Sequence, residues 1–351
     1  MSKPRVLLIG DIDLSLHSHA RYSSNFELID YKITTRERFL EDFSTNSEYF
    51  RLNGIFSGWP AGGGVGKFDS ELVGLIKLNS PDLKIITTCA VGYDAFDLTA
   101  LKEHGITLTN TPSLGAEDVA DLVLWHTLES FRYFSKFQNH LAEYPNTVES
   151  RGILENQKYK YPFGHIYHQH KIESPRGKRV GICGFGKIGQ NVAKRLDTIG
   201  MEILYYSRNE VKDAQLPFKF TYQPNLKELV AEVDLLVLSL PGNSSTFHLI
   251  DEALLQHAKD GIRIINVGRG PIIDFKAIVN ALDSGRVQFL GVDVFYREPE
   301  VEEELLKRDN ISFTPHIGSS TARVFNETAE FCLKNLEKVL IKGESAESAI
   351  V

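Results

Sequence analysis

Three charged side chains stand at the ends of apolar runs in the C-terminal half of this 351-residue chain. Arg269 closes Ile265-Asn266-Val267-Gly268-Arg269-Gly270, Glu298 lies in Gly291-Val292-Asp293-Val294-Phe295-Tyr296-Arg297-Glu298-Pro299, and His316 lies in Thr314-Pro315-His316-Ile317-Gly318. If the runs are strands of an open α/β sheet, the three gather at carboxyl ends, where such sheets bind ligands. Together they suit the reduction of a 2-oxo acid. Charge building on the carbonyl oxygen must be quenched by a proton, and histidine, with an unperturbed pKa of about 6.5, can donate one near neutral pH. Glu298, bonded to the imidazole, would favour the imidazolium and fix its orientation. Arg269 can hold the substrate carboxylate and polarise the carbonyl through a planar donor fork that lysine lacks. Singly, each has a plainer explanation, a turn histidine or a surface ion pair. Their meaning depends on what precedes them.

What precedes them is a nucleotide motif. An apolar run, 179–183, leads into Gly184-Phe185-Gly186-Lys187-Ile188-Gly189, a helical pattern follows through Ala193 and Leu196, and a second apolar run spans 202–206. Strand, glycine loop, helix and strand form the context that a dinucleotide site requires. Gly184 permits the turn, Gly186 lets backbone N–H groups approach a pyrophosphate, and Gly189 lets the helix pack on the sheet. The helix N-terminus supplies the anion site. After the second run stands Tyr206-Ser207-Arg208-Asn209, with no carboxylate before Glu210. Arg208 can fork onto a 2′-phosphate while Ser207 and Asn209 add neutral donors, so the cofactor expected is NADPH, with NADH the weaker alternative. Asp293 would then stand at the nicotinamide end as an acceptor for the carboxamide.

The length allows two domains, and 42% hydrophobic with 24% charged residues is a soluble globular composition. A net charge of −7 argues against nucleic acid or an anionic membrane as partner. Cys89, Cys183 and Cys332 read as buried thiols of a reducing compartment. Neither a signal peptide nor a presequence opens the chain, and the expected location is cytoplasmic.

Strands are expected at 6–9, 26–29, 52–56, 84–88 and 106–109, with helices at 36–43, 68–77 and 97–104, the first announced by a Thr34-x-x-Glu37 capping box. The first third is therefore a parallel α/β unit of its own. After Asn110-Thr111-Pro112 a long helix is expected from Ala116 toward Phe137. Residues 138–175 are polar, aromatic and poorly periodic, and suggest an arm, lid or interface segment. Later strands are expected at 235–238, 263–266, 289–292 and 311–314, helices near 251–258, 274–284 and 302–307, and a last helix at 321–341. Two decoys are set aside. The run Gly62-Gly63-Gly64-Val65-Gly66-Lys67 lacks the first glycine and the Ser or Thr of a phosphate loop, and is read as a loop carrying Trp59. His165, His168 and His170 share no ligand spacing with an acidic or cysteine partner, so no metal is expected.

The chain resembles the D-isomer-specific 2-hydroxyacid dehydrogenases. Cys89-Ala90-Val91-Gly92-Tyr93-Asp94, Asn110-Thr111-Pro112, Val119-Ala120-Asp121, the Gly184 to Gly189 loop and the Arg269, Glu298 and His316 segments carry the resemblance in family order. It is most similar to glyoxylate, hydroxypyruvate and hydroxyphenylpyruvate reductases, through the Ser-Arg pair, and more loosely to D-mandelate dehydrogenases. The resemblance implies a flavodoxin-like substrate domain, residues 1–112 with 320–351, a Rossmann-type nucleotide domain, residues 113–319, a cleft between them and a homodimer. It implies that the N–H groups of Ala90, Val91 and Gly92 bind the substrate carboxylate, and that Leu240, Pro241, Thr246, Val267, Asp293 and Gly318 join the cofactor site. The expected function is NADPH-dependent reduction of small 2-oxo acids to D-2-hydroxy acids. The alternatives are NAD-dependent oxidation of an aryl hydroxy acid such as D-mandelate, and a non-catalytic dinucleotide-sensing scaffold.

Overall fold

Short apolar runs in both parts of the chain pair in parallel and are covered on two faces, which is why they read as continuous rather than alternating hydrophobic stretches. The computed structural model describes residues 2–13, 17–58, 65–212 and 216–351. Trp59 and the glycines 62–64 lie outside the described residues. The chain divides into two units, Met1–Leu114 with Ser320–Val351, and Gly115–Ser319.

In the first unit β1 (Arg5–Ile9), α1 (His17–Asn25), β2 (Glu27–Tyr31), α2 (Arg36–Thr45), β3 (Gly54–Ser57), α3 (Ser70–Asn79), β4 (Ile85–Thr88), α4 (Leu98–Glu103) and β5 (Thr107–Thr109) alternate. The described strands form a parallel sheet of order β2-β1-β3-β4-β5, the flavodoxin-like winding. One face is packed by Phe39, Phe43, Leu72 and Ile76, the other by Cys332, Leu333 and Leu336 of the C-terminal helix Ala322–Glu337. The cap of α2 is one residue later than expected: Thr35 accepts from Arg38 N–H, while the Thr34 hydroxyl is drawn off to the Tyr31 hydroxyl at 3.1 Å. All three cysteines are buried and free, and the sulfurs of Cys89 and Cys332, 243 residues apart, lie 3.8 Å from each other.

The second unit opens with α5 (Ala116–Arg132), which stops short of Phe137. Tyr133 adopts a left-handed conformation with φ 54° and buries its ring on Tyr167 and Phe289, and that burial outweighs continuation of the helix. The segment from 134 to 175 is ordered as α6 (Phe134–Glu143), α7 (Thr147–Leu154) and the hairpin β6 (Ile166–Tyr167) with β7 (His170–Lys171). Buried Arg263 fastens its exit, donating to Ser130 O and to Glu173. His165 Nδ1 lies 3.1 Å from the buried carboxylate of Glu155, an acidic neighbour that sequence spacing concealed. There follow β8 (Arg179–Cys183), α8 (Lys187–Thr198), β9 (Glu202–Tyr206), β10 (Phe220–Tyr222), α9 (Leu226–Glu232), β11 (Leu235–Leu238), α10 (Glu252–Leu255), β12 (Ile262–Asn266), α11 (Phe275–Asp283), β13 (Val287–Val292), α12 (Glu303–Leu306) and β14 (Ile311–Phe313). The parallel sheet runs β10-β9-β8-β11-β12-β13-β14, with its winding reversing between β8 and β11. Among the described residues no helix is long and apolar enough to cross a membrane.

His126 of α5 is wholly buried beneath β13, where a Cβ on Gly291 would meet its ring at 3.0 Å, and it shares a 2.6 Å hydrogen bond with Ser312. Burial pushes its pKa from 6.5 down to about 3. The folded imidazole stays neutral while the unfolded one protonates near pH 6.5, so this contribution to stability is complete above pH 6.5. It is lost as pH falls toward 3, at up to ~1.4 kcal/mol per pH unit. Urea unfolding at pH 6.5 and pH 5.0 should show the wild type losing about 2 kcal/mol more than His126→Gln; equal losses would refute the assignment.

Candidate active site

The cofactor elements flank the reversal between β8 and β11. Gly184 has φ 92°, and its carbonyl stands 2.1 Å from where a Cβ on Gly189 would sit, so the first turn of α8 presses on the strand end as only glycine allows. Ser239, just past β11, ties its hydroxyl to the carbonyls of Cys183 (3.2 Å) and Gly184 (2.9 Å). A Cβ on Gly186 would meet nothing within 4 Å, and Gly186 caps α8 without a side-chain hydrogen bond. The helix start is thus open, with N–H groups that no side chain caps, and fits a pyrophosphate. Phe185 turns the other way: its ring is 2% exposed and stacks on Tyr205 at 4.0 Å, so only its backbone can face a cofactor. Lys187 is exposed and Ile188 half-buried.

At the end of β9, Ser207 donates to Asn209 O, and Arg208 is exposed. Among the described residues nothing engages the Arg208 guanidinium in a hydrogen bond or ion pair, so it is available to a 2′-phosphate. After β11, Leu240 is half-buried and Pro241 exposed, while Thr246 is buried and donates to Pro241 O at 2.7 Å, shaping the loop. Val267 is buried beneath that edge.

The three charged residues come together in the same unit. Glu298 Oε1 accepts from Phe295 N–H at 2.8 Å, and Oε2 lies 2.9 Å from His316 Nδ1. With Nδ1 bound to the carboxylate, Nε2 is the ring nitrogen left to engage another group. The Glu298 hydrogen bond, against the opposing effect of burial, raises the His316 pKa; the Glu298 and Asp293 charges add to it and Arg269 works against it. Burial alone would raise the Glu298 carboxyl, but His316, the Phe295 N–H and Arg269 hold it below the usual range. Arg269 is presented by Asn266, whose buried amide accepts from Gly268 N–H (3.0 Å) and donates to Arg269 O (2.8 Å).

His316 has φ 54°, a left-handed conformation that costs a non-glycine residue energy. Asp293 holds it there. Its buried carboxylate accepts from the Thr314 hydroxyl (2.6 Å), Ile317 N–H (2.8 Å) and Gly318 N–H (2.8 Å). Sequence reasoning placed Asp293 at the nicotinamide; in the structure its oxygens are engaged by the 314–318 turn. Asn266 and Thr314 were missed as site-shaping residues. Their only signal is a polar residue closing an apolar strand.

In the first unit the turn after β4 has its carbonyls tied down: Thr111 N–H donates to Ala90 O at 3.1 Å and Asn110 Nδ2 to Val91 O at 2.7 Å. The Ala90 N–H meets only the Thr88 hydroxyl, at 3.4 Å, and the N–H groups of Val91 and Gly92 donate to no other described residue. Consecutive amides held this way fit a carboxylate.

A family model described as "D-isomer specific 2-hydroxyacid dehydrogenase, NAD binding domain" matches residues 145–318. The glyoxylate reductase of Pyrococcus horikoshii is 36% identical over 74% of this chain and 73% of its own. The 4-methyl-2-oxopentanoate reductase A of Aspergillus oryzae is 32% identical over 97% and 96%. Among solved structures, the holo D-mandelate dehydrogenase of Rhodotorula graminis matches with a TM-score of 0.87 at 27% identity, covering 99% of this chain and 98% of that one. The NADPH-dependent glyoxylate/hydroxypyruvate reductase of Sinorhizobium meliloti, solved with NADP and malonate, matches with a TM-score of 0.78 at 28% identity over 100% and 97%. With the glycine loop and the Arg269, Glu298 and His316 set in one unit, these likenesses make the protein an NAD(P)-dependent oxidoreductase of 2-hydroxy acids, and the chain belongs to the D-isomer-specific 2-hydroxyacid dehydrogenase family.

Proposed function

We propose that the protein is an NADPH-preferring reductase of small 2-oxo acids, of the glyoxylate or hydroxypyruvate type, yielding D-2-hydroxy acids. The observation that carries the reaction is the 2.9 Å Glu298–His316 pair beside Arg269. Bound at the glycine loop, a reduced nicotinamide dinucleotide would supply the hydride. Arg269 would hold the substrate carboxylate and polarise the carbonyl. His316, kept protonated by Glu298, would deliver its Nε2 proton to the carbonyl oxygen. In the reverse direction the neutral imidazole would accept that proton.

The cofactor preference rests on Arg208 and on the absence of a carboxylate before Glu210. A second reading, oxidation of an aryl hydroxy acid, is favoured by the likeness to D-mandelate dehydrogenase. Absorbance at the nicotinamide band with glyoxylate, hydroxypyruvate, 4-methyl-2-oxopentanoate, phenylpyruvate and benzoylformate separates the two. The first reading expects the highest kcat/KM on the small acids, with His316→Ala lowering kcat by about 10²–10⁴-fold. No turnover of any acid, or undiminished turnover in His316→Ala, would sink it.

Reductase activity needs protonated His316, so it is full below the folded-state pKa of that residue and lost as pH rises through it. Glu298→Gln removes the largest cause of the raised pKa and should move the alkaline limb of the pH–rate profile to lower pH; an unmoved limb contradicts the role given to Glu298. For the cofactor, Arg208→Ala should weaken NADPH binding about 10- to 100-fold, as expected from losing a charge-assisted contact, and leave NADH nearly unchanged. Equal weakening of both would refute the 2′-phosphate contact.

A further inference from the structure

Three loops of the second unit meet beside the groups that the proposed reaction uses: 239–250, 267–274 with Arg269, and 293–302 with Glu298. One side chain reaches across all three. His248, itself in a left-handed conformation with φ 51°, donates its backbone N–H to Pro271 O at 2.9 Å. Its ring places Nδ1 3.2 Å from Asp274 Oδ2 and Nε2 2.6 Å from the Tyr296 hydroxyl. The other oxygen of Asp274 caps α11, accepting from Ala277 N–H at 2.9 Å, so the far end of the chain is anchored to a helix. A carboxylate beside Nδ1 favours the tautomer protonated there, which leaves Nε2 to accept from the Tyr296 hydroxyl.

The first two loops are also stitched by backbone, Ile250 N–H to Ile272 O and Asp274 N–H to Ile250 O, both at 3.0 Å. The third rests on the second at Gly270, where a Cβ would lie 1.9 Å from Phe295 O. That contact sets how closely the 293–302 loop approaches, Asp293 N–H donates to Asn266 O at its start (3.1 Å), and the Tyr296 hydroxyl is a further polar tether beyond that point. The preceding peptide, between Val294 and Phe295, adjoins the chemistry directly, since the Phe295 N–H donates to Glu298 Oε1 at 2.8 Å.

We propose that Tyr296 and His248 are positioning residues: the Asp274–His248–Tyr296 chain of polar contacts sets the register of the 293–302 loop, and with it the approach of Glu298 to His316. This rests on the reductase reading above. A polar stitch with no such role would add stability and nothing else.

The test is Tyr296→Phe in the full chain, read by kcat and KM across pH with the best substrate of the panel, by NADPH affinity from nicotinamide fluorescence, and by Tm. Loss of the tether should lower kcat about tenfold, as one hydrogen bond allows, with NADPH affinity within about twofold of wild type. It should also shift the alkaline limb to lower pH as Glu298 slackens from His316. His248→Gln, whose amide oxygen can still accept from Tyr296, should retain more kcat than His248→Leu. A Tyr296→Phe enzyme with wild-type kcat and an unmoved limb, or one altered only in Tm, overturns the proposal. A wild type that reduces none of the acids overturns the functional reading instead.

Discussion

Parallel pairing is the constraint on which the second unit depends. Because all seven described strands of its sheet point the same way, their carboxyl ends open on one edge, and each connecting loop must leave from there. Residues separated by as many as 132 positions, Gly184 to His316, therefore meet on a single rim without any further device. The backbone ladder is satisfied within the sheet, so the rim loops can spend their polar groups on one another. Asp293 does this for the His316 turn, Asn266 for the Arg269 turn and Ser239 for the glycine loop. Each is a buried or half-buried polar side chain at the end of an apolar strand, satisfied by backbone groups of the loop it shapes.

The electrostatics at His316 follow from that arrangement. One carboxylate touches the imidazole, a second stands behind the turn, and a guanidinium opposes them. Glu298 is held by more than the imidazole, since its other oxygen accepts from the Phe295 N–H, which keeps the carboxylate turned toward His316. Holding the carboxylate still is what raises the His316 pKa and leaves Nε2 as the ring nitrogen not bound to Glu298.

The sequence made this rim legible where one residue type has one physical use. A glycine at 189 is needed because Gly184 O occupies the space of a Cβ, and the spacing of 184, 186 and 189 announced it. The arginine, glutamate and histidine could be read from their places after apolar runs. Illegible features arose where tertiary contacts outweighed local preference. Nothing at Tyr133 signals a helix stop, since neither glycine nor proline is there; its ring is fully buried against Tyr167 and Phe289, partners far along the chain that local sequence cannot announce. The helix α1, the short strand β10 and α9 lie in polar stretches with too little periodicity to declare themselves. Thr34 and Thr35 are chemically equivalent caps, and the neighbouring Tyr31 hydroxyl decides between them. Asp293 could be recognised as important but not for what it holds, because its three donors come from residues 21 to 25 positions away.

The inward turn of Phe185 has a consequence for how the cofactor site can change. If the loop meets its ligand with backbone alone, altering its side chains would offer no graded control of affinity: exposed Lys187 should accept most substitutions, while a single methyl at 189 collides with a strand end. Mutational tolerance there is all-or-none. If the tip of β9 meets the ribose as proposed, gradual adjustment of coenzyme choice would fall to half-buried Ser207 and to Arg208 and Asn209, which are exposed with room to vary. Divergence among enzymes built on this scaffold would therefore leave the loop almost invariant and record its history at that tip.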